Sequence, residues 1–212
     1  QYDSMAHLKF HEYLDPAWDY ILYTDNDALL KNAAYGAWDV RPLEFSALDP
    51  VRNRRWHKTH PHVLLQNYDQ SIWADGNVNI LTDFLFKKIR TEHRNLLIPR
   101  HFARTCIYQE AAAVKAAGID DPALVDAEVA LEKAAGFPAS YGLNETNIVY
   151  RRHKNPEIIR VMDEWWAMIE KYSKRDQLAL SFILWKHGIT VESVSFENAR
   201  LLKDDFFTLA HA

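Results

Sequence analysis

The segment 68–83, YDQSIWADGNVNILTD, holds the residues best suited to chemistry. An apolar run at 71–74 drives into Asp75-Gly76-Asn77, and a second alternating run follows at 78–81. A carboxylate at the carboxyl end of a buried strand sits where open α/β sheets take their ligands. Gly76 lets the backbone turn sharply or approach a ligand closely. Asp75 and Asn77, two residues apart, both offer oxygens to a hard cation such as Mg²⁺ or Mn²⁺. Such a cation would clamp a diphosphate. The competing reading is a tight hairpin turn, for which Asp-Gly is a common signal. The segment alone leaves both open.

Other constellations surround this one in the chain. Arg52, Arg54, Arg55 and Lys58 precede it. Both residue types hold phosphate by charge-assisted hydrogen bonds, and Arg54 and Lys58, four apart, share a helical face. A solvated basic surface is the alternative. His57, His60 and His62 form a trio of zinc-binding residue type, but their spacing fits no closed motif and Pro61 interrupts it. Thr24, Asp25 and Asn26 follow a strand and are expected beside a nucleoside, with helix capping as the other use of such side chains. Arg100 and His101 follow the strand at 96–99, and Glu110 begins the next helix; they suit acceptor or sugar contacts, or ordinary ion pairs. Ser173 reads as a helix N-cap with Asp176 in the capping-box position. That leaves Arg175 and Gln177 unexplained. An Asp at such a helix start, facing a cleft, orients a sugar hydroxyl or acts as a base. Trp165 and Trp166 are adjacent and cannot share a helix face. One is expected in the core and Trp166 against a sugar, unless both are buried.

The elements that must position these residues alternate along the chain. Strands are expected at 20–24, 38–41, 45–48, 71–74, 78–81, 96–99, 147–150 and 190–194. Helices are expected at 52–65 with a boundary near Pro61, and at 85–93, 107–117, 121–135, 156–172 and 176–187. The pair 107–117 and 121–135 reads as a helical hairpin on the sheet's edge. The alternation points to an α/β domain with a mainly parallel sheet.

The bulk numbers bound the class. The chain has 212 residues, 48% hydrophobic and 25% charged, which suits one medium domain with a real core. A net charge of −4 gives no reason to expect a nucleic-acid partner. Cys106 is the only cysteine, so no intrachain disulfide forms, and a reducing, cytoplasmic setting or the cytosolic face of a membrane is the expectation. No apolar run approaches the ~20 residues that span a bilayer. The chain begins at Gln1 without Met, so upstream residues, including a first strand, are expected to be missing.

Four segments carry a family resemblance: RNRRWHKTHPHVLLQNYDQSIWADGNVNILTD (52–83), RHFARTCIYQEA (100–111), LNETNIVYR (143–151) and KRDQLALSF (174–182). In this order they resemble the DUF616 family, a glycosyltransferase-like group that includes the plant TOD1 and MUCI70 proteins. The resemblance implies a GT-A fold: a Rossmann-like α/β unit, its mixed and mainly parallel sheet flanked by helices, with nucleotide- and acceptor-binding halves merged into one domain. It implies a UDP-sugar donor, a glycan or glycoconjugate acceptor, and Mn²⁺ or Mg²⁺. Asp75-Gly76-Asn77 takes the place of the metal-binding Asp-x-Asp element, with Asn for the second Asp. His211 matches a C-terminal histidine ligand, and Gln1-Tyr2-Asp3 the loop after a first strand that holds the uracil. On this reading Asp75, Asn77 and His211 hold the cation, Arg54 and Lys58 add charge at the diphosphate, and Asp176, Gln177, Glu145, Arg100 and His101 line the sugar region. A retaining course is weakly favoured, with Asp176 and Glu145 as the bases an inverting course would need. Two other readings remain: a noncatalytic nucleotide-sugar or glycan-binding module, and a metal-dependent lipid amide hydrolase built on the histidine trio.

Overall fold

The computed structural model describes residues 10–208. The apolar run Tyr20–Thr24 forms strand β1, and Asn26 then caps the short helix α1 (Asp27–Leu30) by accepting from the Ala28 and Leu29 amides. Strands β2 (Ala34–Tyr35) and β3 (Trp38–Pro42) follow. Helix α2 (Pro50–Thr59) starts where Asp49 accepts from the Val51 and Arg52 amides and Pro50 fills the first turn. Proline suits that position because its missing N–H would have no helical partner there. Pro61 restarts the chain as α3 (Pro61–Leu64), the break the sequence placed at that residue.

Strands β4 (Ser71–Ala74) and β5 (Val78–Ile80) flank the Asp-Gly-Asn turn. They are followed by α4 (Phe84–Glu92), β6 (Leu96–Pro99), α5 (Ile107–Ala116) and α6 (Pro122–Ala134). Strand β7 (Ile148–Arg151) leads into α7 (Pro156–Lys171), capped by Asn155, and then α8 (Asp176–Lys186). The last elements are α9 (Val191–Val194), β8 (Ser195–Phe196) and β9 (Phe206–Thr208).

The strands form three sheets, ordered β1-β3-β2, β4-β7-β6-β8 and β5-β9. The fold is α/β, but it is not mainly parallel. Among the described residues only β1–β3 and β6–β8 pair in parallel, whereas β2–β3, β4–β7, β5–β9 and β6–β7 are antiparallel. In the four-stranded sheet the reason is β7, which runs between β4 and β6 against both. Nor is the Asp-Gly-Asn turn a hairpin. Its two strands leave for different sheets, β4 to β7 and β5 to β9.

The sheet β4-β7-β6-β8 separates two apolar cores. Val149, Leu96 and Ile98 face α7 and α8, where Val161, Met162 and Trp165 pack. Ile148, Tyr150 and Leu97 face the other way onto Leu85, Phe86 and Ile89 of α4. The period-two alternation of strand side chains does this sorting. The α5–α6 hairpin packs on α8 through Ala111, Val114, Val125 and Leu178, not on a sheet edge.

Two expected strands are absent. Residues 45–48 form none, because α2 side chains take up the backbone there: Asn53 pairs with the Leu48 N–H and C=O, and His57 Nε2 accepts from the Glu44 amide. Residues 190–194 turn into α9 because Thr190 accepts from the Ser193 amide and caps it. Among the described residues no helix is long and apolar enough to cross a membrane.

Candidate functional site

A cleft of about 1860 Å³ runs between the β1–α1 loop, the start of α2 and the β4–β5 turn. Three segments far apart in sequence meet on it. Thr24, Asp25 and Asn26, Arg54 and Arg55, and Asp75, Gly76 and Asn77 all line it, as does Arg175 at the start of α8. The sequence expectation for the nucleotide side is therefore gathered in one place, except for Lys58. The Asn26 side chain also serves as the α1 cap, so both uses weighed for it fall on one residue.

Asp75 is fixed from several sides. Its amide donates to Asn147 O at 2.8 Å, which continues the β4–β7 ladder. Its Oδ1 accepts from the Trp73 indole N–H at 2.7 Å and lies 3.7 Å from Arg55 and 3.8 Å from Lys58. These contacts fall on Oδ1. Lys58 does not reach the cleft. It is fully buried, and its ammonium donates to Asp176 Oδ2 at 2.6 Å. Asp176, 1% exposed, also faces Arg55 at 3.1 Å and accepts from Thr146 Oγ1 at 2.8 Å. Burial works to raise the Asp176 carboxyl, but the charges of Arg55 and Lys58 outweigh it and hold the group well below the usual carboxylate range. Burial pulls the Lys58 ammonium down, against the upward pull of Asp176 and Asp75. The sequence paired Arg54 with Lys58; the residue that works with Lys58 is Arg55, three positions before it on the helix.

The expected acceptor residues form a second polar cluster. Glu110, 1% exposed, receives Arg104 at 2.5 Å, with His101 and Arg175 each 3.6 Å away. Burial lowers the His101 pKa, against the pull of Glu110. Glu145 accepts from Arg200 at 2.6 Å and from Asn198 at 3.2 Å, and the Asn198 amide also donates to Arg100 O. Arg175 joins the two regions, since it lines the cleft and faces Glu110. Sequence reasoning missed Arg104, Asn198, Arg200 and the half-exposed Phe102, whose ring stacks on His101 and lies under Arg200. The adjacency of Phe102 and Arg104 to His101 was the available signal; Asn198 and Arg200 carried none.

Several expectations need correction. Trp166 is 8% exposed and packs edge-on against Phe45 and His60, so it belongs to the core and is no wall of the cleft. Trp165 is buried too, its indole N–H donating to Asp176 O at 2.8 Å. Ser173 does not cap α8; its hydroxyl donates to Asp120 and accepts from the Arg175 amide. Gln177 is 5% exposed with its Oε1 buried and unpaired. The histidine trio does not converge: His57 serves Glu44 and Asn53, His60 the Trp56 carbonyl, and His62 faces Asp163. Among the described residues no three His, Cys, Asp or Glu gather as a metal site. His211 and the segment Gln1-Tyr2-Asp3 lie outside the described residues.

Fold and site together define an α/β protein with a polar cleft whose Asp75 carboxylate lies beside Arg55 on the cleft and the buried Lys58 behind it. The model of the TOD1/MUCI70 glycosyltransferase-like domain matches residues 2–204, and the chain belongs to that family. It is 28% identical over 192 residues to the probable hexosyltransferase MUCI70 of Arabidopsis thaliana, an alignment that takes in 82% of this chain and 32% of the plant protein. The chain thus spans about a third of that relative's length. No solved structure matches it.

Proposed function

We propose that the cleft binds a nucleotide-sugar, UDP-linked by the family resemblance, and that the protein transfers its sugar to a glycan or glycoconjugate acceptor on a GT-A-like frame. The observation that carries this reading is the meeting of the 24–26 loop, Arg54 and Arg55, and Asp75–Asn77 on one cleft. The loop takes the nucleoside, and Arg54 and Arg55 face the diphosphate. A site built from one carboxylate, an amide oxygen and the ligand's own phosphates suits Mg²⁺ or Mn²⁺. Asp75 and Asn77 would hold that cation, which supplies charge neutralisation for the departing diphosphate.

The roles of the buried residues follow from their partners. Asp176 is a positioning residue: it is 1% exposed, its oxygens face Lys58, Arg55 and Thr146, and those cations hold its carboxyl below the usual carboxylate range. Lys58 carries that order to Asp75 from beneath. Glu145 is tied to Arg200 and Asn198 in the same manner. With both candidate bases committed, the retaining course is favoured, in which leaving-group oxygens take the acceptor's proton. Arg100, His101, Glu110 and Arg175 then border the acceptor.

A noncatalytic binding module is the second reading, and one observation favours it: Asp75 already has two cations within 4 Å, at 3.7 and 3.8 Å, which weakens its pull on a metal. Slow hydrolysis of UDP-sugars without acceptor separates the two. A transferase releases UDP in a Mn²⁺-dependent way that Asp75→Ala abolishes; binding with no release of UDP under any metal leaves the module.

A further inference from the structure

Arg151, the last residue of β7, is 2% exposed and lines the same cleft. Its Nε donates across the ladder to Ser71 Oγ at 3.1 Å, but its Nη1 is buried without a hydrogen-bond partner. Among the described residues no carboxylate pairs with it, and burial pulls its pKa down to about 9. A buried cation without a counter-ion is strongly disfavoured unless something supplies the missing acceptor.

The guanidinium is held in place by a relay. His153 Nε2 faces the carbonyls of Leu65 at 3.1 Å and Tyr68 at 2.8 Å, so that nitrogen carries the proton. His153 Nδ1 therefore accepts from the Ser71 hydroxyl at 3.1 Å, and Ser71 Oγ in turn accepts from Arg151. Nothing in this relay neutralises the guanidinium; it only aims it. A second orphan stands near. His62 Nε2 is 3.1 Å from Asp163, while its Nδ1 is buried without a partner, and the Arg151 charge acts on this ring.

We propose that Arg151, steadied by Ser71, forms an oxyanion subsite on the cleft wall, which takes a phosphate or carboxylate group of a ligand lying along the cleft. A planar, permanently charged fork suits either group. Ser71 opens β4 and Asp75 follows its last residue, about 13 Å away at ~3.3 Å per residue, so the subsite is separate from the Asp75 end. It does not rest on the transferase reading.

The test is calorimetric titration of inorganic phosphate, and separately of acetate, at constant ionic strength, into the wild type, Arg151→Met and Asp75→Ala. The expected result is saturable binding of at least one ion, weakened tenfold or more by Arg151→Met and kept by Asp75→Ala. Whichever ion binds names the group. Binding that survives Arg151→Met unchanged, or no binding of either ion, overturns the proposal and leaves Nη1 to an internal water. Should Arg151→Met not fold, Ser71→Ala reads the same point: it weakens the ion severalfold if the guanidinium is the donor, and an unchanged affinity refutes it.

Discussion

Lys58 and Arg151 are both fully buried cations, and they are solved in opposite ways. Lys58 rises from α2 into two carboxylates, Asp176 at 2.6 Å and Asp75 at 3.8 Å. Arg151 ends β7 against a neutral serine, with Nη1 unpaired. The first is a closed arrangement whose charges answer one another, and its product is a fixed Asp75. The second is open, and its unmet demand can be satisfied by something that enters the cleft. Burial depth alone does not separate a structural charge from one left for a ligand; the partner list does.

The largest break in the comparison comes from Asp176→Asn. It leaves the buried Lys58 and the partly exposed Arg55 against a neutral amide, and removing one member of a buried pair costs about 3–5 kcal/mol. Denaturant unfolding should show that loss. The same carboxylate sets an acid limb. Its folded pKa lies below the unfolded value, so its contribution is present above that unfolded value and fades as pH falls. Wild-type stability should therefore drop steeply in acid, and Asp176→Asn should flatten that limb.

The mirror experiment is Arg151→Met, which removes a charge that no carboxylate among the described residues answers. Its stability without added anion should stay within ~1 kcal/mol of wild type or exceed it, since apolar replacement of buried charge is often neutral or stabilising. A loss as large as that of Asp176→Asn would erase the distinction between the two cations.

A buried pair of carboxyls sharpens the contrast from the acidic side. Glu128 and Glu132, one turn apart on α6, are fully buried. Glu128 Oε2 accepts from the Ser173 amide, and both Glu132 oxygens lack partners. Burial pushes Glu128 up to about 8 and Glu132 up to about 9, so they meet burial by staying protonated at neutral pH. Because the folded values are raised, their stability contribution is full below the unfolded pKa of ~4.3 and declines as pH rises toward 8 to 9. Glu132→Gln should stabilise the protein by on the order of 2 kcal/mol near pH 7.5, with little effect near pH 4.5. Unfolding curves at the two pH values check it, and an equal effect at both would contradict the assignment. At the small end, Lys154→Ala breaks only the exposed contact with Asp69 and should leave the melting temperature unchanged.

What the sequence revealed follows from how local each signal was. The strands at 20–24 and 96–99 match β1 and β6 at both ends, since each is a short apolar run with an abrupt polar or proline boundary. Asp121-Pro122 marks α6, and Asp49-Pro50 carries the same signal for α2, which starts two residues before the helix expected at 52–65. The cleft residues Asp75–Asn77 and 24–26 were also visible, because acidic and amide side chains just after apolar runs are a local pattern. Strand pairing was not. Strand β5 finds its partner β9 across more than a hundred residues, and β7 reverses between β4 and β6, so the sheet reads as parallel until the order is known. The buried partners of the site were hidden for the same reason. Arg55 meets Asp176, and Glu145 meets Arg200, only through tertiary contacts. Trp166 misled because an aromatic beside Trp165 has the same appearance whether it meets a sugar or Phe45.

The measurement closest to the central claim is a thermal-shift comparison of wild type and Asp75→Ala with UDP, GDP and their common sugars, each with and without Mn²⁺. A ligand that binds only the folded state raises apparent stability by mass action. The account predicts a Mn²⁺-dependent rise with UDP or a UDP-sugar that is lost in Asp75→Ala. No rise with any nucleotide, while the metal alone shifts both proteins equally, would contradict it.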